Sequence, residues 1–395
     1  MKLLVTGGTG FLGAHLVPRL LHAGHQVRLI SRSRPAALAE GAEHVPGDLK
    51  DREAVRRALS GVEAVYHLAG LVSFDPKDGR KMYELHVDCT RELLRDAKAA
   101  GIKRFVLAST SGTIAVSKEE RTATERDDYP ITVVGRWPYY LSKIYEEKLA
   151  LEYCRRHGIP LVVANPSLLM GPGDDRLSST WTVVKFLNRD IPGMPNGGIS
   201  FADARDVADA LVNALTMGEV GGRHLMGVNM TMKEFFQRLS RLTGVAEPAL
   251  RLPRRGNLWG AKLLEKIAQA RGVEPALDYH SVDIGEHWFW LDASKAEREL
   301  RFKARDPLET LHDTVQFILG KMPPQALPGV KGELRQLREG IRPSPASAGD
   351  RAASPWPAGA GHARRRRARA AGPRGSARPP PPSPGAPRRC PAAPG

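Results

Sequence analysis

Leu4-Val5-Thr6-Gly7-Gly8-Thr9-Gly10-Phe11-Leu12-Gly13 decides how this chain is read. Lys2–Thr6 is an apolar run of strand length, and Phe11–Ala23 places Leu12, Leu16, Leu20 and Leu21 on one helical face. The glycines between them let the backbone turn tightly and approach a pyrophosphate, for which the helix N-terminus offers free N–H groups and the positive end of its dipole. Gly8-x-Gly10-x-x-Gly13 fits the general dinucleotide fingerprint, and Gly7-x-x-Gly10-x-x-Gly13 fits an alternative spacing. The strand–loop–helix setting is the context such a loop requires.

Outward from this loop, short apolar runs alternate with amphipathic stretches. Strands are expected at Gln26–Ile30, His44–Pro46, Ala64–Leu68, Arg104–Ala108 and Pro160–Ala164, and long helices at Tyr83–Ala100 and Tyr139–His157. This order predicts an α/β fold, a Rossmann-type doubly wound parallel sheet. After Pro166 the pattern loosens. Helices are expected at Asp203–Met217, Lys233–Leu242 and Leu258–Ala270, with Pro192–Ser200 and Pro248–Gly256 as connections. The expected division is a dinucleotide-binding domain over 1–175, a smaller C-terminal substrate-binding lobe over 176–322, and a linker with a disordered Pro/Ala/Arg-rich tail over 323–395. No internal repeat is evident.

The formal net charge of +16 sits largely in that tail. Residues 351–395 hold ten arginines and no acid, leaving 49 basic against 43 acidic residues in 1–350. Nucleic acid is therefore not an expected partner, except through the Arg364–Arg367 run. That run reads either as a binding or tethering arm or as an extension without function. Cys89, Cys154 and Cys390 are odd in number and widely spaced, which excludes a disulfide framework or structural zinc site and fits a reducing compartment. No apolar run reaches membrane-spanning length and Thr6–Gly10 interrupts any secretory core, so a cytoplasmic protein is expected. No histidine pair suggests a metal.

Two further stretches carry chemistry. Arg28-Leu29-Ile30-Ser31-Arg32-Ser33-Arg34 ends the second strand without the acid that commonly receives a ribose 2′-hydroxyl. Arg32 or Arg34 can instead pair with a 2′-phosphate, so NADP(H) is favoured, with NAD(H) as the alternative. Tyr139-Tyr140-Leu141-Ser142-Lys143 places a phenol and an ammonium one turn apart. In that arrangement the charge can ease proton exchange with a carbonyl or carbinol oxygen.

Thr6–Gly13, Gly47-Asp48-Leu49, Val65–Gly70, Arg104–Gly112, Tyr139–Lys143, Asn165–Asp174 and Phe201–Val207, in this order, resemble the extended short-chain dehydrogenase/reductase (NAD-dependent epimerase/dehydratase) family. The resemblance runs from Met1 to about Gly320 and looks closest to dihydroflavonol-reductase-like members and hopanoid-associated sugar epimerases. It implies that Gly7, Thr9, Gly10, Phe11, Leu12 and Gly13 hold the pyrophosphate and Arg32 the 2′-phosphate. Asp48 and Leu49 would line the adenine, and Leu68, Ala69 and Gly70 would pass under the cofactor. Pro166 and Leu169 would lie against the nicotinamide. Tyr139 would be the general acid/base, Lys143 its partner at the nicotinamide ribose, and Thr110, or alternatively Ser111, the hydroxyl that binds the substrate oxygen. One departure is His86, which stands where the family commonly carries asparagine.

The expected activity is hydride transfer between NADP(H) and a carbonyl or alcohol carbon. Two alternatives stand beside it: a nucleotide-sugar epimerase or dehydratase that retains NAD(P), with Arg251, Arg254 and Arg255 available to a substrate pyrophosphate, and a non-catalytic NADP(H)-binding sensor or scaffold. A homodimer is an open possibility. His67 and Cys154 are expected to be packed, Asp206 to cap a helix starting at Val207, and Trp181, Phe186, Trp259, Trp288 and Trp290 each to be core, with the lining of a substrate pocket as the alternative.

Overall fold

The computed structural model describes residues 1–34, 38–73, 75–191, 193–250, 253–270 and 279–321. The expected tail from 323 onward and Arg251 lie outside them. Ten strands are present among the described residues: β1 (Lys2–Thr6), β2 (Gln26–Ser31), β3 (Glu43–Pro46), β4 (Ala64–His67), β5 (Arg104–Ala108), β6 (Leu161–Pro166), β7 (Leu168–Met170), β8 (Gly198–Asp203), β9 (Arg223–Met226) and β10 (Val228–Thr231). The helices are α1 (Phe11–His22), α2 (Arg52–Leu59), α3 (Gly79–Tyr83), α4 (Thr90–Ala99), α5 (Ile131–Val134), α6 (Pro138–His157), α7 (Trp181–Leu187), α8 (Ala204–Asn213), α9 (Met232–Thr243), α10 (Arg254–Ala270), α11 (Tyr279–Gly285), α12 (Ser294–Leu300) and α13 (Pro307–Lys321).

Seven strands form one parallel sheet in the order β3-β2-β1-β4-β5-β6-β9. Alternation along the strands feeds two cores. Leu3 and Val5 point to the layer holding Leu12, Leu16, Leu20, Val207 and Leu211, from α1 and α8. Leu4 points to the layer holding Val55, Leu59, Leu93, Leu94, Ala150 and Cys154, from α2, α4 and α6. Helices on both faces of a parallel sheet make this the expected doubly wound α/β fold. The strand order reverses between β1 and β4, and the crevice at such a reversal is where ligands sit in open α/β sheets.

The second sheet, β10-β8-β7, packs Phe201, Met170 and Met230 against α7, α9 and α13. It corrects the reading of Pro192–Ser200 as a plain connection, because β8 begins at Gly198. The stretch Tyr83–Ala100 is not one α-helix, since Glu84–Cys89 is a π-helical segment between α3 and α4. Asp203, not Asp206, caps α8: its carboxylate accepts from Arg205 N at 2.9 Å, while Asp206 receives Arg305 N at 2.8 Å. Phe186 is core, but Trp181 and Trp259 are 49% and 69% exposed. No helix among the described residues is long and apolar enough to cross a membrane.

Candidate active site

The loops after β1, β4, β5 and β6 bring the predicted residues to the C-terminal edge of the sheet. Gly7 has φ of 70°, and a Cβ there would lie 2.5 Å from Ala69 N, so the first loop and the loop after β4 touch backbone to backbone. A Cβ on Gly13 would lie 2.5 Å from Gly7 O and Gly8 Cα, so only glycine lets α1 start this close to the loop. Helix α1 begins at Gly10 with no side-chain cap and no acid in its first turn. The dipole end is therefore left open to an anion, and a dinucleotide pyrophosphate fits it.

At the far end of β2, Arg32 is exposed and its Nε lies 3.9 Å from Asp48 Oδ2, so both reach the same rim. Leu49 packs on the α2/α4 core. Leu68, Ala69 and Gly70 follow β4 directly, and Leu68 N donates to Thr6 O at 3.0 Å. Pro166 closes β6 and Leu169 lies in β7 beside it.

Tyr139 and Lys143 stand on the first turns of α6, which Pro138 opens at a position where its missing N–H costs nothing. The Tyr139 phenol is hydrogen-bonded to the Thr110 hydroxyl. Gly112 N donates to Thr110 Oγ1 at 3.3 Å, orienting it. Of the two hydroxyls left open by the sequence, Thr110 is the one at the phenol, and Ser111 is buried. Tyr139 also packs against Tyr140, with ring centroids 5.2 Å apart, and His86, at 6.1 Å. Burial raises the phenol above its ordinary value, the Glu146 carboxylate adds to this, and the Thr110 hydrogen bond opposes it. The expected downward pull from Lys143 is not what the structure gives. The Lys143 ammonium is engaged by the Glu146 carboxylate and donates to Ala108 O at 2.9 Å.

Two buried glutamates, which no motif singles out, organise this centre. Burial pushes the Glu146 carboxyl up, while Lys143 and the Thr90 hydroxyl pull it back. Thr90 donates to Glu146 Oε1 at 3.2 Å, and His67 Nε2 lies 2.8 Å from Thr90 Oγ1. His67 Nδ1 lies 2.6 Å from Thr6 Oγ1, which accepts from Ala69 N at 3.4 Å. With the His67 proton on Nε2, every donor in this chain meets an acceptor, from the nucleotide loop to Lys143. His67 is thus packed, as expected, and burial pushes it down to about 3. Glu147 takes the other side. Its Oε2 accepts from Ser109 at 2.5 Å, Asn165 at 2.8 Å and Thr113 at 3.0 Å, tying the loop after β5 to β6.

His86 is built into the same centre. Leu71 N donates to His86 Nε2 at 3.0 Å, which places the ring proton on Nδ1, 2.9 Å from Ser142 Oγ. Ser142 in turn donates to Tyr139 O at 2.8 Å. Burial first, then Lys143, pushes His86 down to about 2, so it is neutral and acts as a brace between the Leu71 loop and the Tyr139 backbone. The π-helical turn around it is a distortion that often marks functional sites. Arg254 is occupied: its Nη2 lies 3.1 Å from His287 Nε2 and 3.9 Å from Asp283. Among the described residues, no cluster of His, Cys, Asp or Glu could hold a metal.

Residues 3–227 match the NAD dependent epimerase/dehydratase family. The chain belongs to that family. It is 33% identical over 323 residues to a putative dihydroflavonol 4-reductase of Synechocystis, covering 79% of this chain and 93% of that protein. It is 33% identical over 310 residues to sterol demethylase protein B of Methylococcus capsulatus, covering 76% and 93%. Among solved structures, the UDP-glucose 4-epimerase of Thermus thermophilus in complex with NAD superposes with a TM-score of 0.64 at 22% identity, covering 82% of this chain and all of that one. The last likeness is one of fold. Family members are NAD(P)-dependent reductases and epimerases or dehydratases, and this chain is an enzyme of that kind.

Proposed function

We propose that the enzyme is an NADP(H)-dependent reductase of a carbonyl compound of low polarity, with Tyr139 as the general acid. The observation that carries this is the hydrogen-bonded pair of Thr110 and Tyr139 hydroxyls beside Lys143, at the edge where the glycine loop also ends. When bound, the dinucleotide supplies the hydride. Gly7 to Gly13, with Thr9 exposed at the loop tip, would hold its pyrophosphate. Asp48 and Leu49 would line the adenine, Leu68 to Gly70 would run beneath it, and Pro166 and Leu169 would face the nicotinamide. The exposed Arg32 guanidinium supports the preference for a 2′-phosphate, although Asp48 shares its rim. Residues 1–175 would serve the dinucleotide and 176–322 the substrate.

Thr110 would hydrogen-bond the substrate carbonyl oxygen, and Tyr139 would pass its proton to that oxygen as charge develops there. A phenol raised by burial keeps its proton near neutral pH, which suits an acid in the reductive direction better than a base. Tyr140 packs on Tyr139 and clusters with the buried Trp137 and with Phe289 and Ile284, and the partly exposed Tyr140, Phe289 and Ile284 would offer an apolar wall to the substrate. The prior engagement of Arg254 weighs against a sugar-nucleotide pyrophosphate at that point. The relatives named for a dihydroflavonol and a sterol support the same substrate class.

A screen of hydrophobic aldehydes and ketones, followed at the nicotinamide absorbance with NADPH and with NADH, tests the reading. With a substrate found, Tyr139→Phe is expected to lose about 10²–10⁴-fold in kcat while binding NADPH as the parent does. Full turnover in that variant would remove Tyr139 from the mechanism.

A further inference from the structure

Helix α10 has its polarity turned inside out. Its anchoring side is polar: Asn257 Nδ2 donates to Glu286 Oε1 at 2.7 Å, and Arg254 reaches His287 and Asp283. Ala261, 3% exposed, is the small residue that lets the helix lie close. The largest apolar side chains point away. Trp259 is 69% exposed, Leu264 48%, Leu263 43% and Ile267 39%. At about 100° per residue, Trp259, Leu263 and Ile267 form one stripe, and Arg255, Lys262 and Lys266 fall within about 40° of one another along its border. All three of those cations are exposed.

We propose that α10 is a docking helix for the surface of an anionic lipid bilayer, lying in the interface with Trp259, Leu263, Leu264 and Ile267 inserted and the basic border against the headgroups. Aromatic and aliphatic residues on one face with Lys and Arg beside them are the signature of a helix that lies on a membrane rather than crossing it. Charge selects this occupant over two others. A second copy of the chain docked antiparallel through the same face, about a two-fold axis across the helix, would bring two basic borders together. The chain's own C-terminal segment, with ten arginines and no acid in residues 351–395, would be repelled by that border. An anionic bilayer answers both the apolar stripe and the positive edge.

The surface connects to the catalytic helix by contacts alone. Arg254 touches His287, the His287 ring lies 4.9 Å from Trp137, Trp137 packs on Tyr140, and Tyr140 on Tyr139. The inference does not depend on the reaction proposed above.

The full-length protein should be sedimented or floated with phosphatidylcholine vesicles and with phosphatidylcholine–phosphatidylserine vesicles. Binding is expected to the anionic vesicles, weakening with salt. Each cation at a membrane surface contributes about a five-fold factor, so Lys262→Gln/Lys266→Gln is expected to bind about 25-fold more weakly. Trp259→Glu/Leu263→Glu should lose binding while circular dichroism and NADPH affinity stay at parental values. The proposal is overturned if the parent does not bind anionic vesicles, or if both variants bind as it does, which would assign the affinity to the tail. It is equally overturned if light scattering finds a dimer that Trp259→Glu/Leu263→Glu converts to monomer, since the face would then be a protein interface.

Discussion

Replacing Glu146 by glutamine tests whether the buried acid sets the working proton of the site. The amide of Glu146→Gln would keep one oxygen, for Thr90 or for the Lys143 ammonium but not both, and remove the negative charge. Tyr139 and Glu146 are seven residues apart on one helix, so they share a face about 10 Å apart. At an effective dielectric of about 20, charges at that separation interact by about 1.7 kcal/mol, equivalent to a little over one pH unit in the phenol's titration. The sign follows from the structure: Glu146 pushes the phenol up, so its loss lets the phenol ionise more easily. In the reductive direction the acid must be protonated, and the alkaline limb of kcat/KM should therefore move to lower pH by about one unit. The assay is a pH profile of NADPH-dependent reduction for parent and variant. A limb that stays in place would mean that Glu146 is already protonated in the enzyme or that Lys143 shields it from the phenol, and the electrostatic account of the site would fail. Glu146→Leu is a different perturbation. It strands the buried Lys143 ammonium and should cost about 3–5 kcal/mol of stability, measured by urea unfolding.

Arg32→Ala should lower kcat/KM for NADPH about ten-fold and leave that for NADH unchanged, the loss of one charge-assisted contact; an equal fall for both would place Arg32 outside the 2′ position. Gly13→Ala would put a methyl 2.5 Å from Gly7 O; binding of either dinucleotide, read by fluorescence titration, should fall at least about ten-fold, with about 1–3 kcal/mol lost in stability, and retained affinity would refute the loop geometry. His67 and His86 are held neutral in the fold, pushed down to about 3 and about 2, whereas the unfolded chain titrates them near the ordinary value of 6.5. The unfolded state therefore binds more protons below that value, so their contribution is complete above about pH 6.5 and falls by about 1.4 kcal/mol per pH unit per ring on acidification. Urea unfolding at pH 7 and pH 5 should show this slope reduced by half in His86→Asn; an unchanged slope would mean that His86 carries a proton in the fold.

The parts of this enzyme legible in its sequence are those whose physics is local. The glycine loop declares itself because a turn that tight tolerates no Cβ, and a strand and a helix of fixed length must flank it. Tyr139 and Lys143 declare themselves through the helical repeat, and β1, β2, β4, β5 and β6 through apolar runs that a two-sided sheet must bury. What stayed hidden depends on partners far along the chain. Strand β9 is only Arg223–Met226 and carries two polar residues, so nothing in four residues distinguishes it from a loop; its place against β6 makes it a strand. Asp203 and Asp206 are both good caps, and the choice fell to Arg305, about a hundred residues away, which claims Asp206. Trp259 reads as core by residue type, yet the contacts that hold its helix are polar and leave it outside.

The hidden part of the site is more instructive than the missed strand. Consecutive acids on a helix ordinarily mark a solvated face, and Glu146-Glu147 carries no local sign of anything else. Here each is buried because it has an organising task that no apolar residue could perform. Glu146 runs through Thr90, His67 and Thr6 toward the glycine loop, and Glu147 through Ser109, Thr113 and Asn165 toward the loop after β5. One helix turn thus fixes the phenol against both halves of the crevice at once. A signal for this did exist in the sequence: α6 has charge on every face, which a helix packed into a sheet can tolerate only if some of that charge is paired inside. A motif locates the reacting groups, but the distance between them is set by those paired charges, which is why Glu146 bears so directly on how the Tyr139 proton behaves.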